Sequence, residues 1–233
     1  MRERLVKGFL DLKMDVSEKQ IEQFVKYAEL LVEWNEKINL TAITAPIEIV
    51  EKHFLDSAMC LKCGINGKVI DVGTGAGFPG IVLKILNPDI KLCLLDSLQK
   101  RINFLETVCK ELGLENVTFV HARAEDGGRD KNLREQFDFA VARAVANLST
   151  LSEYCLPFVK VGGSFIAMKG PKANEEIEAG KGAVTKLGGE ISSILEEQIS
   201  GTELKHVLIS IKKVRPTAPA FPRKAGKPSK QPL

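Results

Sequence analysis

The run Val69-Ile70-Asp71-Val72-Gly73-Thr74-Gly75-Ala76-Gly77-Phe78-Pro79-Gly80 sets glycines at alternate positions directly after a short apolar stretch. Glycine turns the chain tightly and lets a ligand lie against bare backbone. Where a strand hands over to a helix, such a loop holds a nucleoside or dinucleotide. Gly75, Gly77 and Gly80 loosely match G-x-G-x-x-G, which admits a nicotinamide dinucleotide. Asp71 argues against that ligand. A carboxylate two residues before the first glycine repels a pyrophosphate and suits a cation, such as the ammonium of a methionine moiety. The expected ligand is S-adenosylmethionine, held by Asp71, Gly73, Gly75 and Gly77, and the bland alternative is a tight structural turn.

Asp96 lies 25 residues after Asp71, where an acid can accept both ribose hydroxyls or, equally, cap a helix beginning near Ser97. Ala124-Glu125-Asp126 offers an amide and a carboxylate to an adenine edge. Arg143 ends a fourth apolar run, and a cation beside a sulfonium must face an anion: the methionine carboxylate or an RNA phosphate. Lys169 and Arg123 are further candidates for RNA contact. His53 reads as a core or capping residue with Asp56 within reach, and the lone Cys60/Cys63 pair as structural.

The elements that must carry these residues alternate. Strands are expected at 68–72, 91–96, 117–121, 137–142 and 164–169, with helices at 81–86, 99–112, 131–136, 150–159 and 174–187. Apolar strands alternating with helices make a parallel sheet covered on both faces. Two further strands, 190–198 and 205–214, have no helix between them and pair antiparallel. Upstream, Ser17 and Gln20 have capping-box spacing for an amphipathic helix over 17–39, and Pro46 opens a second helix to about Cys60. The fold class is α/β: a doubly wound, Rossmann-like sheet of seven mostly parallel strands ending in an antiparallel hairpin. Residues 1–66 form an N-terminal helical extension, 67–214 the catalytic domain, and 215–233 a basic, proline-rich tail.

The chain has 233 residues, with 44% hydrophobic and 27% charged, which is ordinary globular material. Five cysteines without a framework, no cleavable leader and no membrane-length apolar run predict a reduced, cytoplasmic protein. Its net charge of +3 hides a split: from Lys212 onward there are seven basic residues and no acid. Five prolines crowd the last 18 residues, so this tail is expected to be extended and without helix. A basic tail suits a polyanion, though it also serves solubility.

Taken together, these motifs give a chain that resembles the RsmG family, also called glucose-inhibited division protein B. The resemblance rests on Asp71–Gly80, Leu95-Asp96-Ser97, Arg123–Asp126, Ala142-Arg-Ala-Val-Ala146, Asn39–Ile43, His53–Ser57 and the tail from Pro222 to Leu233. It implies a class I S-adenosylmethionine-dependent methyltransferase acting on guanine N7 in the 530 loop of bacterial 16S rRNA, at the guanosine conventionally numbered 527. Carried over by position, its cofactor contacts fall on Gly73, Phe78, Asp96, Ser97, Leu98, Ala124, Glu125 and Arg143. Substrate RNA or the small ribosomal subunit is expected to meet Arg123, Lys169, Arg223 and Lys224.

The residues agree with that chemistry. After the fourth strand there is no Pro-Pro-aromatic turn to orient an exocyclic amine, and the chain has no Pro-Cys dipeptide for attack at a pyrimidine C5. Guanine N7 carries an in-plane lone pair and no proton, so direct in-line transfer needs alignment rather than a general base, and neither a catalytic residue nor a metal is expected. A nicotinamide oxidoreductase and a non-catalytic ribosome-binding module remain the rival readings.

Overall fold

The computed structural model describes residues 1–143, 146–170, 173–203 and 205–233. Ala144 and Val145 of the 142–146 motif therefore lie outside the described residues. Helices α1 (Arg2–Asp11) and α2 (Glu18–Ile38) open the chain. The expected capping box forms at α2: the Ser17 hydroxyl accepts from the Gln20 amide, and the Gln20 side chain takes the Ser17 amide at 2.9 Å. Ile21, Phe24, Tyr27 and Leu31 fill the buried face that the 3.6 period requires. Helix α3 (Pro46–Ile49) runs unbroken into a π-helical turn (Val50–Leu55), α4 (Asp56–Ala58) and a 3-10 turn (Met59–Cys63). The second expected helix is thus one rod with a change of pitch in the middle. Such π turns commonly mark functional positions, and this one contains His53.

The alternating part runs as β1 (Lys68–Val72), α5 (Gly80–Leu86), β2 (Lys91–Asp96), α6 (Gln99–Glu111), β3 (Val117–His121), α7 (Ala124–Gly127) and β4 (Phe137–Arg143). Then come α8 (Leu148–Cys155), β5 (Val159–Lys169), α9 (Ala173–Lys186), β6 (Gly189–Gln198), β7 (Lys205–Lys213) and α10 (Lys227–Lys230). The seven strands lie in the order β3-β2-β1-β4-β5-β7-β6. The pairs from β3 to β5 are parallel, while β7 runs antiparallel between β5 and β6. Strand order reverses between β1 and β4, the switch point beside which open α/β sheets bind ligands at their carboxyl ends.

Two expectations fail. The segment 131–136 is turn rather than helix. Asp130 Oδ1 takes the Asn132 amide and Glu135 adopts a left-handed φ of 55°, so local side-chain bonding wins over helix propagation. The tail is neither free nor wholly extended: it folds back on the sheet's helices and carries α10.

Each face of the sheet has its own core. Phe24, Tyr27, Phe54, Ile81 and Phe104 cover one; Leu151, Phe158, Ile177 and, from the tail, Phe221 cover the other. The extension joins the first core through a file of rings, Phe9–Phe24–Phe54–Tyr27–Phe78, with centroids 5.0 to 5.4 Å apart. Contacts of this kind add about 0.5–1.5 kcal/mol each beyond area burial. They tie the amino terminus to the glycine loop. No helix among the described residues is long and apolar enough to cross a membrane.

Candidate active site

The glycine loop is held from three sides. Below it, the amides of Gly73 and Thr74 both donate to the Leu95 carbonyl, at 2.9 and 3.1 Å, locking the loop to the end of β2. Inside it, Asp71 Oδ2 accepts from the Thr74 hydroxyl at 2.7 Å and the Gly80 amide at 2.8 Å. From the extension, the buried Tyr27 phenol donates to the Ala76 carbonyl at 2.5 Å. Glycine is required where φ is +71° at Gly73 and +95° at Gly77. A Cβ on Gly77 would also stand 2.5 Å from the Tyr27 oxygen. Replacing Tyr27 by phenylalanine strands the Ala76 carbonyl. The expected loss is about 1–3 kcal/mol, to be read from thermal unfolding.

Asp71 is fully buried, and its Oδ1 has no hydrogen-bond partner among the described residues. Burial raises its pKa to about 6, against the pull of the Thr74 and Gly80 hydrogen bonds. The expectation that Asp71 faces a ligand cation therefore applies to at most one oxygen, since Oδ2 is turned into the loop.

Beside the loop lies a cleft of about 370 Å³ at the carboxyl ends of β1, β2 and β3. Of the expected cofactor residues, Gly73, Asp96, Ser97, Ala124 and Glu125 line it together. Asp96 is 2% exposed and braces the site: its Oδ2 takes the Gly75 amide at 2.9 Å and Arg101 at 3.3 Å, and its Oδ1 takes the Leu98 amide at 2.9 Å. Glu125 is also buried, and its Oε1 accepts the Gly226 amide at 2.8 Å. Arg101 and Tyr154 line the cleft as well. Sequence reasoning missed both: Arg101 lies in the first turn of α6 and Tyr154 in the last turn of α8, with nothing in the local pattern to mark either.

A second cleft, about 650 Å³, opens at the ends of β4 and β5, lined by His53, Asp56, Arg143, Met168, Lys169 and His206 among others. Arg143 organises it. Its Nη1 donates to Asp56 Oδ2 and to the Lys52 carbonyl, both at 3.0 Å, and its Nη2 lies 3.1 Å from His53 Nδ1. The guanidinium carbon stands 4.8 Å from the Phe78 ring centroid, and His53 stacks on the same ring at 4.5 Å. His53 Nδ1 also lies 3.1 Å from the Lys52 carbonyl, and its Nε2 lies 3.0 Å from Thr41 Oγ1, so both ring nitrogens are engaged. Burial, then Arg143, lowers the His53 pKa to about 4, so the ring is neutral.

This geometry bears on three expectations. Within the chain Arg143 faces an anion that spacing did not point to, Asp56 of the N-terminal extension, a buried carboxylate. Lys169 is buried against Glu176 at 2.7 Å and bonds the Ala146 carbonyl. Arg223, expected on RNA, grips the fully buried Glu153 through Nε at 2.9 Å and Nη2 at 2.6 Å. Buried carboxylates demand such partners, and Glu153 takes most of the Arg223 guanidinium. Arg123 and Lys224 are exposed. Asp71, Gly75, Gly77, Phe78 and Leu98 do not line the first cleft; Asp71 is buried beneath the glycine loop, the next three shape that loop, and Leu98 caps α6.

Solved structures share this frame. The SAM-dependent O-methyltransferase TM0748 from Thermotoga maritima superposes with a TM-score of 0.52 and 15% identity over 81% of this chain and 73% of that one. YcgJ from Bacillus subtilis gives 0.52 and 16% over 70% of this chain and all of the other. At such identities the likeness is one of fold: the class I S-adenosylmethionine-dependent methyltransferase fold. Sequence relatives are much nearer. A ribosomal RNA small subunit methyltransferase G of Clostridium botulinum (strain Eklund 17B / Type B) is 53% identical over 98% of this chain and 97% of its own length. One from Alkaliphilus metalliredigens is 51% identical over 97% and 96%. The family model for GidB, rRNA small subunit methyltransferase G, matches residues 20–204. Two clefts on one sheet edge, this fold and half-identical relatives along nearly the whole chain lead to one conclusion: the chain belongs to the rRNA small subunit methyltransferase G family and is a methyltransferase.

Proposed function

We propose that the chain transfers a methyl group from S-adenosylmethionine to N7 of one guanosine, the 527 position of the 530 loop, in 16S rRNA. The observation that carries this reading is the pairing of the two clefts along one edge of the sheet, with the Gly73–Gly80 loop between them. The residues present fit the cofactor. Asp71 Oδ1 is a buried carboxylate oxygen without a partner among the described residues, which suits an ammonium. The first cleft is acidic at Asp96 and Glu125, which suits ribose hydroxyls and an adenine amine.

Gly73, Asp96, Ser97, Ala124 and Glu125 would hold the nucleoside half, with Asp71 toward the amino-acid half. When bound, the cofactor supplies an electrophilic methyl group on a sulfonium. Everything else falls to the chain. The neutral His53 and Arg143, both packed on the buried Phe78 ring, wall the second cleft that would take an acceptor base. His53, Arg143 and Asp56 are engaged with one another and with Thr41, which fixes that wall. N7 has a lone pair and no proton to lose, so positioning and exclusion of water are the work required. Exposed Arg123 and Lys224 are suited to phosphates. In this reading residues 67–214 are the catalytic domain, 1–66 a buttress of the acceptor side and 215–233 a tail.

The test is methyl transfer from labelled S-adenosylmethionine to unmodified 16S rRNA, free and as small subunits, followed by nucleoside mass analysis. Label as 7-methylguanosine at a single loop position is the expected result. Cofactor binding without label in either acceptor overturns the substrate assignment. Tight binding of NADH instead would support the oxidoreductase.

A further inference from the structure

The basic tail is anchored at two points before it reaches the cofactor cleft. The Arg134 guanidinium binds the carbonyls of Thr217 and Phe221, at 2.7 and 2.8 Å, and Arg223 binds Glu153 of α8 with its backbone amide as well as its side chain. Past that anchor, the chain turns at Gly226, whose φ of +79° lets its amide point back to Glu125 Oε1 at 2.8 Å. Two residues on, the Pro228 carbonyl accepts from Thr150 Oγ1 at 3.0 Å, and the Ser229 hydroxyl donates to the Gly226 carbonyl at 3.1 Å, closing the turn. Glu125 and Tyr154 are walls of the first cleft. A carboxylate held on one oxygen by a fixed amide presents its other oxygen in one direction. The same side chain without that amide would lose the restraint.

We propose that residues 225–230 are a positioning strap for the cofactor: Gly226 orients Glu125, the Thr150–Pro228 bond and the Ser229–Gly226 bond hold the turn that carries Gly226, and the Arg223–Glu153 pair is the strap's anchor. This rests on reading Glu125 as a cofactor residue. The strap acts through hydrogen bonds at a buried carboxylate, so its effect is independent of salt. A tail acting through phosphates would lose its effect as salt rises.

A chain ending at Lys224 keeps both anchors and loses the strap together with residues 231–233, of which Leu233 packs against the second core. Its Kd and KM for S-adenosylmethionine are expected to rise about tenfold or more, at 50 and at 300 mM salt alike. Its kcat at saturating cofactor is expected to stay within about twofold. Gly226→Pro removes the amide donor and, with its φ locked at about −65°, the left-handed turn as well, so it should match the truncation. Gly226→Asn keeps the amide and tolerates the left-handed turn, so it should bind as the intact chain does. The Pro/Asn pair decides the matter should the truncated chain fail to fold. A truncated chain or Gly226→Pro variant that binds cofactor as tightly as the intact protein overturns the strap. So does a defect confined to RNA binding at low salt. An intact chain that fails to bind S-adenosylmethionine overturns the reading of Glu125, and the strap with it.

Discussion

Arg143→Ala is expected to cost about 3–5 kcal/mol of stability and, in the fraction that remains folded, to slow methyl transfer on the order of 10²-fold. The stability figure comes from Asp56, which is 4% exposed and would keep only His206, 2.6 Å from Oδ1, once Oδ2 lost the guanidinium. Removing one member of a buried pair strands the other, which is costlier than never having built the pair. The variant Asp56→Asn/Arg143→Gln should therefore be more stable than Arg143→Ala, and a double-mutant cycle in thermal unfolding isolates the coupling. The rate figure comes from His53 and Phe78, both of which Arg143 touches. Without the guanidinium, His53 keeps only the Lys52 carbonyl at Nδ1 and Thr41 at Nε2 and loses the cation packed beside it on Phe78, so the wall offered to the acceptor base loosens. Arg143→Lys separates the two effects. Lysine supplies a charge to Asp56, but a point charge cannot reach Asp56, the Lys52 carbonyl and His53 together. Most of the stability should return, with little of the rate. Full activity in Arg143→Lys would show that only the charge at this position matters.

What the sequence made legible depends on the range of the interaction. All seven strands and the first cleft were readable, because period, glycine and acid positions are local signals, each within a few residues of the strand end it marks. Asp96 could be read as a ribose acid or as a cap for the adjoining helix. In the structure it holds the amides of Gly75 and Leu98, so the turn-bracing role is real whatever it does for a ligand. The misses are long-range. Arg143 meets Asp56 across 87 residues, Arg223 meets Glu153 across 70, and Gly226 meets Glu125 across 101. No spacing rule links partners so far apart, and a charged residue in a tail looks solvated until something buried claims it. The π turn at Val50–Leu55 escaped for a related reason: Pro46 marks a helix start, but the pitch beyond it is set by packing against the sheet and the glycine loop.

The second large effect is a pair of opposed pH dependences that mutation should separate. His53 titrates at about 4 in the folded chain against 6.5 in the unfolded one, so its contribution is present above pH 6.5 and is lost as pH falls toward 4. Asp71 titrates at about 6 folded against 3.8 unfolded. Its contribution is present below pH 3.8 and is lost as pH rises through 6. A tenfold difference in proton affinity between folded and unfolded chain is worth about 1.4 kcal/mol, so each contribution amounts to about 3 kcal/mol. Across pH 4 to 6.5 the two nearly cancel. Differences from the wild-type melting curve should expose them. Asp71→Asn should gain about 3 kcal/mol relative to wild type as pH rises from 4 to 7, or about 6–12 °C in Tm, while His53→Gln should lose a similar amount over the same span. Curves parallel to wild type in both variants would show that neither group titrates as its burial dictates. The burial of Asp71 has a further consequence if the cofactor's ammonium is what Oδ1 awaits. A charge unsupported in the free protein gains its partner on binding, so Asp71→Asn should be stabilised at neutral pH and yet bind S-adenosylmethionine at least about tenfold more weakly. Stability and affinity moving in opposite directions is a result that a purely structural carboxylate would not give.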